Sequence, residues 1–330
     1  MKTSSSSNLL ASLQNLVQSD IELVNQLIFK NLDNEVALIP QLASHLIASG
    51  GKRLRPALTI ASAKLCGYEG ERHITLAACV ELIHTATLLH DDVVDESALR
   101  RGESTANEIW GNKASVLVGD FLLSKSFQLM VSDGSIKVLK ILSDASAIIA
   151  EGEVLQLSTA NNLETTLEQY IKVVESKTAT LFAAAFELGA IVGEKPEKEK
   201  ILSEAGLSLG IAFQIMDDIL DYSSEQVVLG KSIGDDFREG KVTAPIIFAY
   251  QKSDEAEKSF WKRTLEKQEI SDGDLETAIS IINKYDAINQ STQLAKDYCD
   301  NSYKIISQFP DSTPKTAILD TINFCRDRVY

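Results

Sequence analysis

Cysteine is scarce and badly placed for cross-linking: Cys66, Cys79, Cys299 and Cys325 stand far apart, and none belongs to a C-x-x-C pair. That spacing speaks against a zinc site or a disulfide framework and fits a reducing cytoplasm. Positive charge is in deficit too, with 32 Lys and Arg against 47 Asp and Glu and a net charge of -15. Such a balance argues against nucleic acid as a partner. It does not exclude a phosphorylated substrate, because a local basic cluster works inside an acidic protein. No apolar run reaches the roughly 18 residues that suggest a membrane span, and the opening MKTSSSSN lacks the apolar core of a signal peptide. Period-two alternation is missing, so no segment reads as a convincing strand. There is no fixed-period repeat, low-complexity linker or composition break.

What is present is helix. Apolar residues keep helical spacing over residues 9–49, with breaks near 31–35 and at Pro40, and again over 58–65, 74–95, 114–131, 136–158, 167–192 and 201–222. Pro196 with Glu197 suits a helix first turn. A shorter helix opens at Ala244, and Ser271-x-x-Asp274 and Thr313-Pro314 are later starts. Residues 97–111 and the Gly-punctuated 223–241 read as loops. The expected architecture is all-α: residues 1–8 form a disordered N-terminal tail, and residues 9–330 form a single domain of ten or more helices.

Residues 74–95 are oily for four turns, contain no Gly or Pro, and end in Asp91, Asp92 and Asp95. Positions i and i+4 share a helix face, and two carboxylates stacked there repel each other. A helix that gathers acids in this way suggests a bound cation. The pattern returns at Asp217, Asp218 and Asp221. Carboxylates are hard oxygen ligands that suit Mg2+, whose shell is usually completed by water and substrate phosphates. Asp91 and Asp95 can bridge one or two ions, and Asp217 can hold a third. A single D-D-x-x-D is often a solvated helix end; two copies, each after an oily helix, are harder to dismiss.

These motifs, with GGKRLRP, ELIHTATLLHDDVVDESALRRG, NKASVLVGDF, EGEVLQL, ESKTATLF, FQIMDDILDY and GKSIGDDFREGKVTAP, make the chain resemble the trans-polyprenyl diphosphate synthases, in particular the bacterial long-chain enzymes. The resemblance runs from about residue 9 to the end. It implies the isoprenoid synthase fold, a single large helical bundle around a central cavity, with the two aspartate motifs facing each other. It implies two to three Mg2+ on the six aspartates, with Asp91, Asp95 and Asp217 as direct ligands and Asp92, Asp218 and Asp221 behind them.

The same resemblance assigns Lys52, Arg55, Arg101 and His84, with Arg53 less firmly, to isopentenyl diphosphate, and Arg100 to the allylic diphosphate. It places Lys177, Thr178 and Gln214 around the reacting carbons. Lys231 caps the diphosphate, Lys241 flanks the same acidic loop, and Asp235 stands near metal-bound water. Other readings stay open. Residues 52–55 before Pro56 could form a solvated turn, His84 a satisfied core histidine, and Arg100 and Arg101 ordinary surface charge. For Asp236 and Glu239 a solvated loop is the preferred reading, and Arg326 and Arg328 are weaker candidates for the isopentenyl site.

Chain length is read on the oily helix. Small Ala86 and Thr87 stand where short-chain relatives carry blocking aromatics, and Ile83 and Val80 continue the path. Phe127 and Met130 are candidates for a floor, with ordinary core as the alternative. Each helical turn rises roughly 5.4 Å, on the order of one isoprene unit. The implied product is near C40, within C30 to C50. The implied enzyme is a Mg2+-dependent prenyltransferase that adds isopentenyl diphosphate to an allylic primer such as farnesyl diphosphate. It would be a cytoplasmic homodimer, with peripheral membrane contact for product release and a quinone side chain as the product's use. The alternatives are a class I terpene cyclase and a non-catalytic subunit of a heteromeric synthase.

Overall fold

The computed structural model describes residues 3–48, 51–100, 102–222 and 234–327. Helices dominate: α1 Thr3–Leu32, α2 Leu38–Ala48, α3 Leu54–Leu65, α4 Arg72–Val94, α5 Ala106–Trp110, α6 Asn112–Asp133, α7 Ile136–Thr159 and α8 Leu167–Val174. They continue as α9 Thr180–Val192, α10 Pro196–Leu220, α11 Asp235–Arg238, α12 Ala244–Lys252, α13 Glu255–Trp261, α14 Asp274–Lys284, α15 Ala287–Ser307 and α16 Thr313–Asp327. Two five-residue π-helical segments, Glu175–Ala179 and Lys262–Glu266, interrupt the series. The only sheet among the described residues is a ribbon of β1 Leu99–Arg100 and β2 Glu103–Ser104. The all-α expectation holds.

Boundaries differ from the sequence reading in several places, one being the short α11 inside the stretch 223–241 expected as loop. Helix α1 already begins at Thr3, inside the expected tail. Helix α3 starts at Leu54 rather than 58, because Pro56 falls in the first turn, where a missing N–H costs no helical bond. The stretch 97–111, expected as loop, holds the ribbon and α5. The helix expected over 167–192 is split by the first π segment. Local chemistry fixes two starts: Thr166 and Gln169 make a reciprocal capping box on α8, and Asp254 and Glu257 make one on α13, a helix the sequence reading did not place.

Contacts gather into two compact units. The first holds the chain up to Ser146, Leu181–Gly206 and Tyr303–Thr321; the second holds Ala147–Thr180, Leu207–Ser302 and the chain from Ile322 on.

In the first unit α4 is enclosed on all sides, with Leu76, Ala77, Ala78, Cys79 and Val80 each at 0% exposure. A helix apolar all round must be buried all round. Its main neighbour is α6, and three contacts fix the register. Arg72 grips Asp133 with two bonds of 2.9 and 2.8 Å. The Cys79 thiol donates to the Ser126 carbonyl at 3.7 Å. His90 Nε2 meets the Val116 carbonyl at 3.2 Å. As one number rises the other falls, so the two helices run antiparallel.

Gly189 lets α9 touch α3, since a Cβ there would lie 2.3 Å from Ser62 Oγ and 2.5 Å from the Ala63 nitrogen. Helix α6 is the only one among the described residues long and apolar enough to cross a bilayer by length and composition. Its Ser115, Val118, Gly119, Leu122, Ser126, Leu129 and Met130 are buried, while Leu117 and Val131 are exposed.

In the second unit Trp261 and Phe237 form the aromatic centre, both fully buried and edge-to-face at 6.4 Å. The indole N–H donates to Ser253 Oγ at 3.2 Å, which satisfies the one polar atom of that ring.

Candidate active site

Helix α4 ends in the first aspartate cluster. Asp91 and Asp95 are half-buried, while Asp92 is 1% exposed. A buried carboxylate must be paired, and Arg100 supplies the partner. Its Nε and Nη2 donate to Asp92 Oδ1 at 2.9 and 2.6 Å, and Nε reaches Oδ2 at 3.2 Å. The ribbon Arg100↔Glu103 presents the arginine for this grip. Arg100, expected on a diphosphate, is thus found on Asp92. Arg101, Lys231 and Arg328 lie outside the described residues.

The basic segment is pinned to α4 by two rungs. Arg53, held at φ 46° in the left-handed region, pairs with the buried Glu81. Arg55 Nη1 donates to His84 Nε2 at 3.0 Å, and its guanidinium lies 4.6 Å from the centre of the Phe182 ring. A guanidinium has no lone pair to offer. His84 Nε2 must therefore accept, which makes the imidazole neutral with its proton on Nδ1. Lys52 is exposed. Glu81 and Phe182 were missed by sequence reasoning. The available signal for Glu81 was an acid one turn before His84 in an otherwise apolar helix.

The second cluster lies at the end of α10, in the other unit. Asp217 is half-buried; Asp218 and Asp221 are buried. Asp218 takes a bond on each oxygen: Gln214 Nε2 donates to Oδ1 at 2.7 Å and the Tyr170 hydroxyl to Oδ2 at 2.5 Å. Burial lifts the Asp218 carboxyl to about 7, against the downward pull of those two donors. Asp221 accepts the backbone N–H groups of Asp235 and Asp236 at 3.3 and 3.0 Å, at the start of α11.

Asp236, expected as a solvated loop charge, belongs to this cluster. Burial, then the Asp221 and Asp218 charges, hold its carboxyl well above the usual range. Lys241 pairs with Glu239 at 2.5 Å, so Glu239 is not an isolated surface acid. Arg326 pairs with Asp300 at 3.1 Å.

Lys177 and Thr178 sit on the π segment Glu175–Ala179, and such bulges recur at functional sites. Lys177 Nζ donates to Glu153 Oε2 at 2.7 Å and Gln156 Oε1 at 2.8 Å. Thr178 Oγ1 donates to Gln214 Oε1 at 2.9 Å. The motif EGEVLQL therefore supplies the partners of Lys177, a role the sequence did not disclose. Its Gly152 allows the approach: a Cβ there would lie 2.8 Å from both the Lys177 nitrogen and Ser176 Cβ.

The donor set fits a hard cation. In each motif some aspartates (Asp92; Asp218 and Asp221) are buried on protein donors, and others (Asp91 and Asp95; Asp217) keep access to solvent. Among the described residues no three His, Cys, Asp or Glu side chains form a closed metal cage. Oxygen ligands in small number, with the shell left to water and phosphate, are what Mg2+ prefers.

Small and apolar side chains run along α4 back from the aspartates. Ala86, Ile83 and Val80 are buried, and Thr87 turns its hydroxyl back to the His84 carbonyl at 2.8 Å. Cys79, level with Ser126, lies roughly 18 Å of helical rise from Asp91. Phe127 and Met130 sit at that level and the turn beyond, a depth of about four isoprene units. Helix α4, at 23 residues, is only roughly 35 Å long, while eight units at one turn each need about 43 Å. The register sets Phe127 and Met130 roughly 18 to 23 Å of helical rise from Asp91.

Helices carrying two half-buried aspartate clusters, with a basic segment locked to one of them, define the isoprenoid synthase class. The chain belongs to the polyprenyl synthetase family, whose model matches residues 36–282. It is similar to the octaprenyl diphosphate synthase of Escherichia coli K12, 43% identical over 97% of this chain and 99% of that one. The crystal structure of a decaprenyl diphosphate synthase from Rhodobacter capsulatus superposes with a TM-score of 0.93 at 49% identity, covering 97% of this chain and 99% of that one. A polyprenyl synthase from Caulobacter crescentus CB15, complexed with calcium and isoprenyl diphosphate, gives 0.94 at 45% identity, with 97% and 98% covered. The fold is that of these isoprenoid synthases.

Proposed function

We propose that this chain is a long-chain trans-polyprenyl diphosphate synthase. It adds isopentenyl diphosphate repeatedly, head to tail, to an allylic diphosphate, and its product is near C40. The observation that carries this reading is that both D-D-x-x-D motifs are whole, each with aspartates left half-exposed behind buried, bonded partners. The similarity to the Escherichia coli octaprenyl enzyme, over nearly the full length of both chains, supports the substrate class and product length.

In this reading Asp91 and Asp95 of the first motif, and Asp217 of the second, would each hold Mg2+, which when bound would neutralise charge on the allylic diphosphate. Lys52, Arg55 and Arg101 receive isopentenyl diphosphate, and Lys177 and Lys231 add positive charge near the leaving group. Fixed charges of this kind stabilise the anion that develops as the C–O bond breaks. The double bond of isopentenyl diphosphate supplies the electron pair for the new C–C bond to the allylic cation. A proton then leaves the adjacent carbon for the departed diphosphate. His84 is not the base, because its Nε2 already accepts from Arg55. The apolar residues Val80, Ile83 and Ala86 keep water from the cation.

The reading includes a homodimer in the cytoplasm with peripheral membrane contact. Exposed Leu117 and Val131 on α6, at 67% and 64%, support an apolar partner for that helix. Incubation with Mg2+, farnesyl diphosphate and labelled isopentenyl diphosphate tests the function. A ladder of lengthening diphosphates is expected. A cyclic hydrocarbon would point instead to a terpene cyclase, and turnover only with a second protein to a heteromeric subunit.

A further inference from the structure

We propose that Tyr170 is a positioning residue for the reaction: acting through Asp218, its hydroxyl sets which way the Gln214 amide points, and thereby which atoms Thr178 presents. The inference rests on the functional reading above and deepens it. Tyr170 is 5% exposed on α8, and Asp218 is 5% exposed on α10. Burying a phenol and a carboxylate together is costly unless each is bonded, and here each is the other's partner at 2.5 Å.

The direction of every bond in the chain follows from that pair. The Tyr170 proton goes to Asp218 Oδ2, which leaves Oδ1 as an acceptor. Only the amide nitrogen of Gln214 can face an acceptor, and it does so at 2.7 Å. The amide oxygen then has to face the other way, toward Thr178, 2.9 Å off. A threonine hydroxyl has one proton, and Thr178 gives it to that oxygen. What remains on Thr178 Oγ1 is lone pairs. Four side chains thus form one polarised row that ends in an acceptor, the polarity needed beside a developing carbocation. With the amide reversed, Thr178 could turn its proton outward and repel the same charge. A phenylalanine at position 170 would fill the same space but leave Asp218 Oδ2 without its donor. Asp218 would then have lost one of its two fixed side-chain partners, and nothing would hold the Gln214 amide in a single orientation.

The test is a double-mutant cycle on the full enzyme, read as kcat and KM. Tyr170→Phe is expected to lower kcat about tenfold, as loss of one hydrogen bond to a charged group would, with both KM values within about twofold. In a Gln214→Leu background the same substitution should cost less than about twofold, because the residue through which Tyr170 acts is gone. If Gln214→Leu does not fold, as judged by circular dichroism, Thr178→Val replaces it in the cycle. An equal loss in both backgrounds, or a change in melting temperature with kcat untouched, would overturn the inference and leave Tyr170 a packing residue. Wild-type elongation is the control: its absence would count against the function, and its presence with an additive cycle would count only against Tyr170.

Discussion

Asp91 and Asp217 are aspartates that the fold has not buried, while Asp92, Asp218 and Asp221 are buried on protein donors. The division assigns different losses to neighbouring residues. Asp91→Ala or Asp217→Ala should reduce kcat at least about a hundredfold, since several kcal/mol of charge stabilisation goes with the metal. The circular dichroism melt should barely move. Near-normal turnover of either variant would contradict the metal assignment. Arg53 gives the opposite pattern. It pairs with buried Glu81, so Arg53→Ala leaves that carboxylate stranded and should cost about 2–3 kcal/mol in chemical denaturation. Arg53→Ala with Glu81→Gln should recover most of it. A stability loss that Glu81→Gln does not relieve would remove Glu81 as the reason for Arg53.

At the scale of elements, helices were legible where apolar spacing was strong; α13, short despite its capping box, was not. Residues 74–95 read as one helix, and α4 spans Arg72–Val94. The start of α3 was not legible, because Pro56 reads equally as a breaker and as a first-turn residue. Nor was the π segment Glu175–Ala179: one extra residue in a turn leaves the apolar pattern almost unchanged. The aspartates of the site could be named from their spacing. Tyr170, Glu81, Glu153 and Gln156 could not, because each becomes a partner only through contacts far along the chain.

Gly152 belongs to this scale. It is where α7 meets the π segment, and Gly152→Ala must push against the Lys177 backbone nitrogen 2.8 Å away. The variant should lose about 1–3 kcal/mol of stability. It should also lose at least about tenfold in kcat, since small displacements near the chemistry are expensive. Wild-type kinetics in Gly152→Ala would show that the close approach does not position Lys177.

Across the whole molecule, the scarce cysteines follow the same logic of burial. All four are buried, and burial pushes the Cys66 thiol up to about 11, with Cys79 higher still. Thiols held protonated and out of solvent are inert. Native protein at pH 8 should take up no iodoacetamide over minutes, and unfolded protein should take up four equivalents, as mass spectrometry would record. Rapid native labelling would mean that the helical packing opens far more easily than this structure implies.

In the proposed function α4 both starts the reaction at Asp91 and Asp95 and guides the product along Ala86. Product length reports on both ends of that helix at once. Wild-type enzyme and Ala86→Tyr, given farnesyl diphosphate and labelled isopentenyl diphosphate with Mg2+, should be compared by chromatography of the products. The expected result is a product near C40 from the wild type and one between about C15 and C20 from the variant, whose ring would close the path roughly one turn below the aspartates. Products of equal length from the two proteins would contradict the claim.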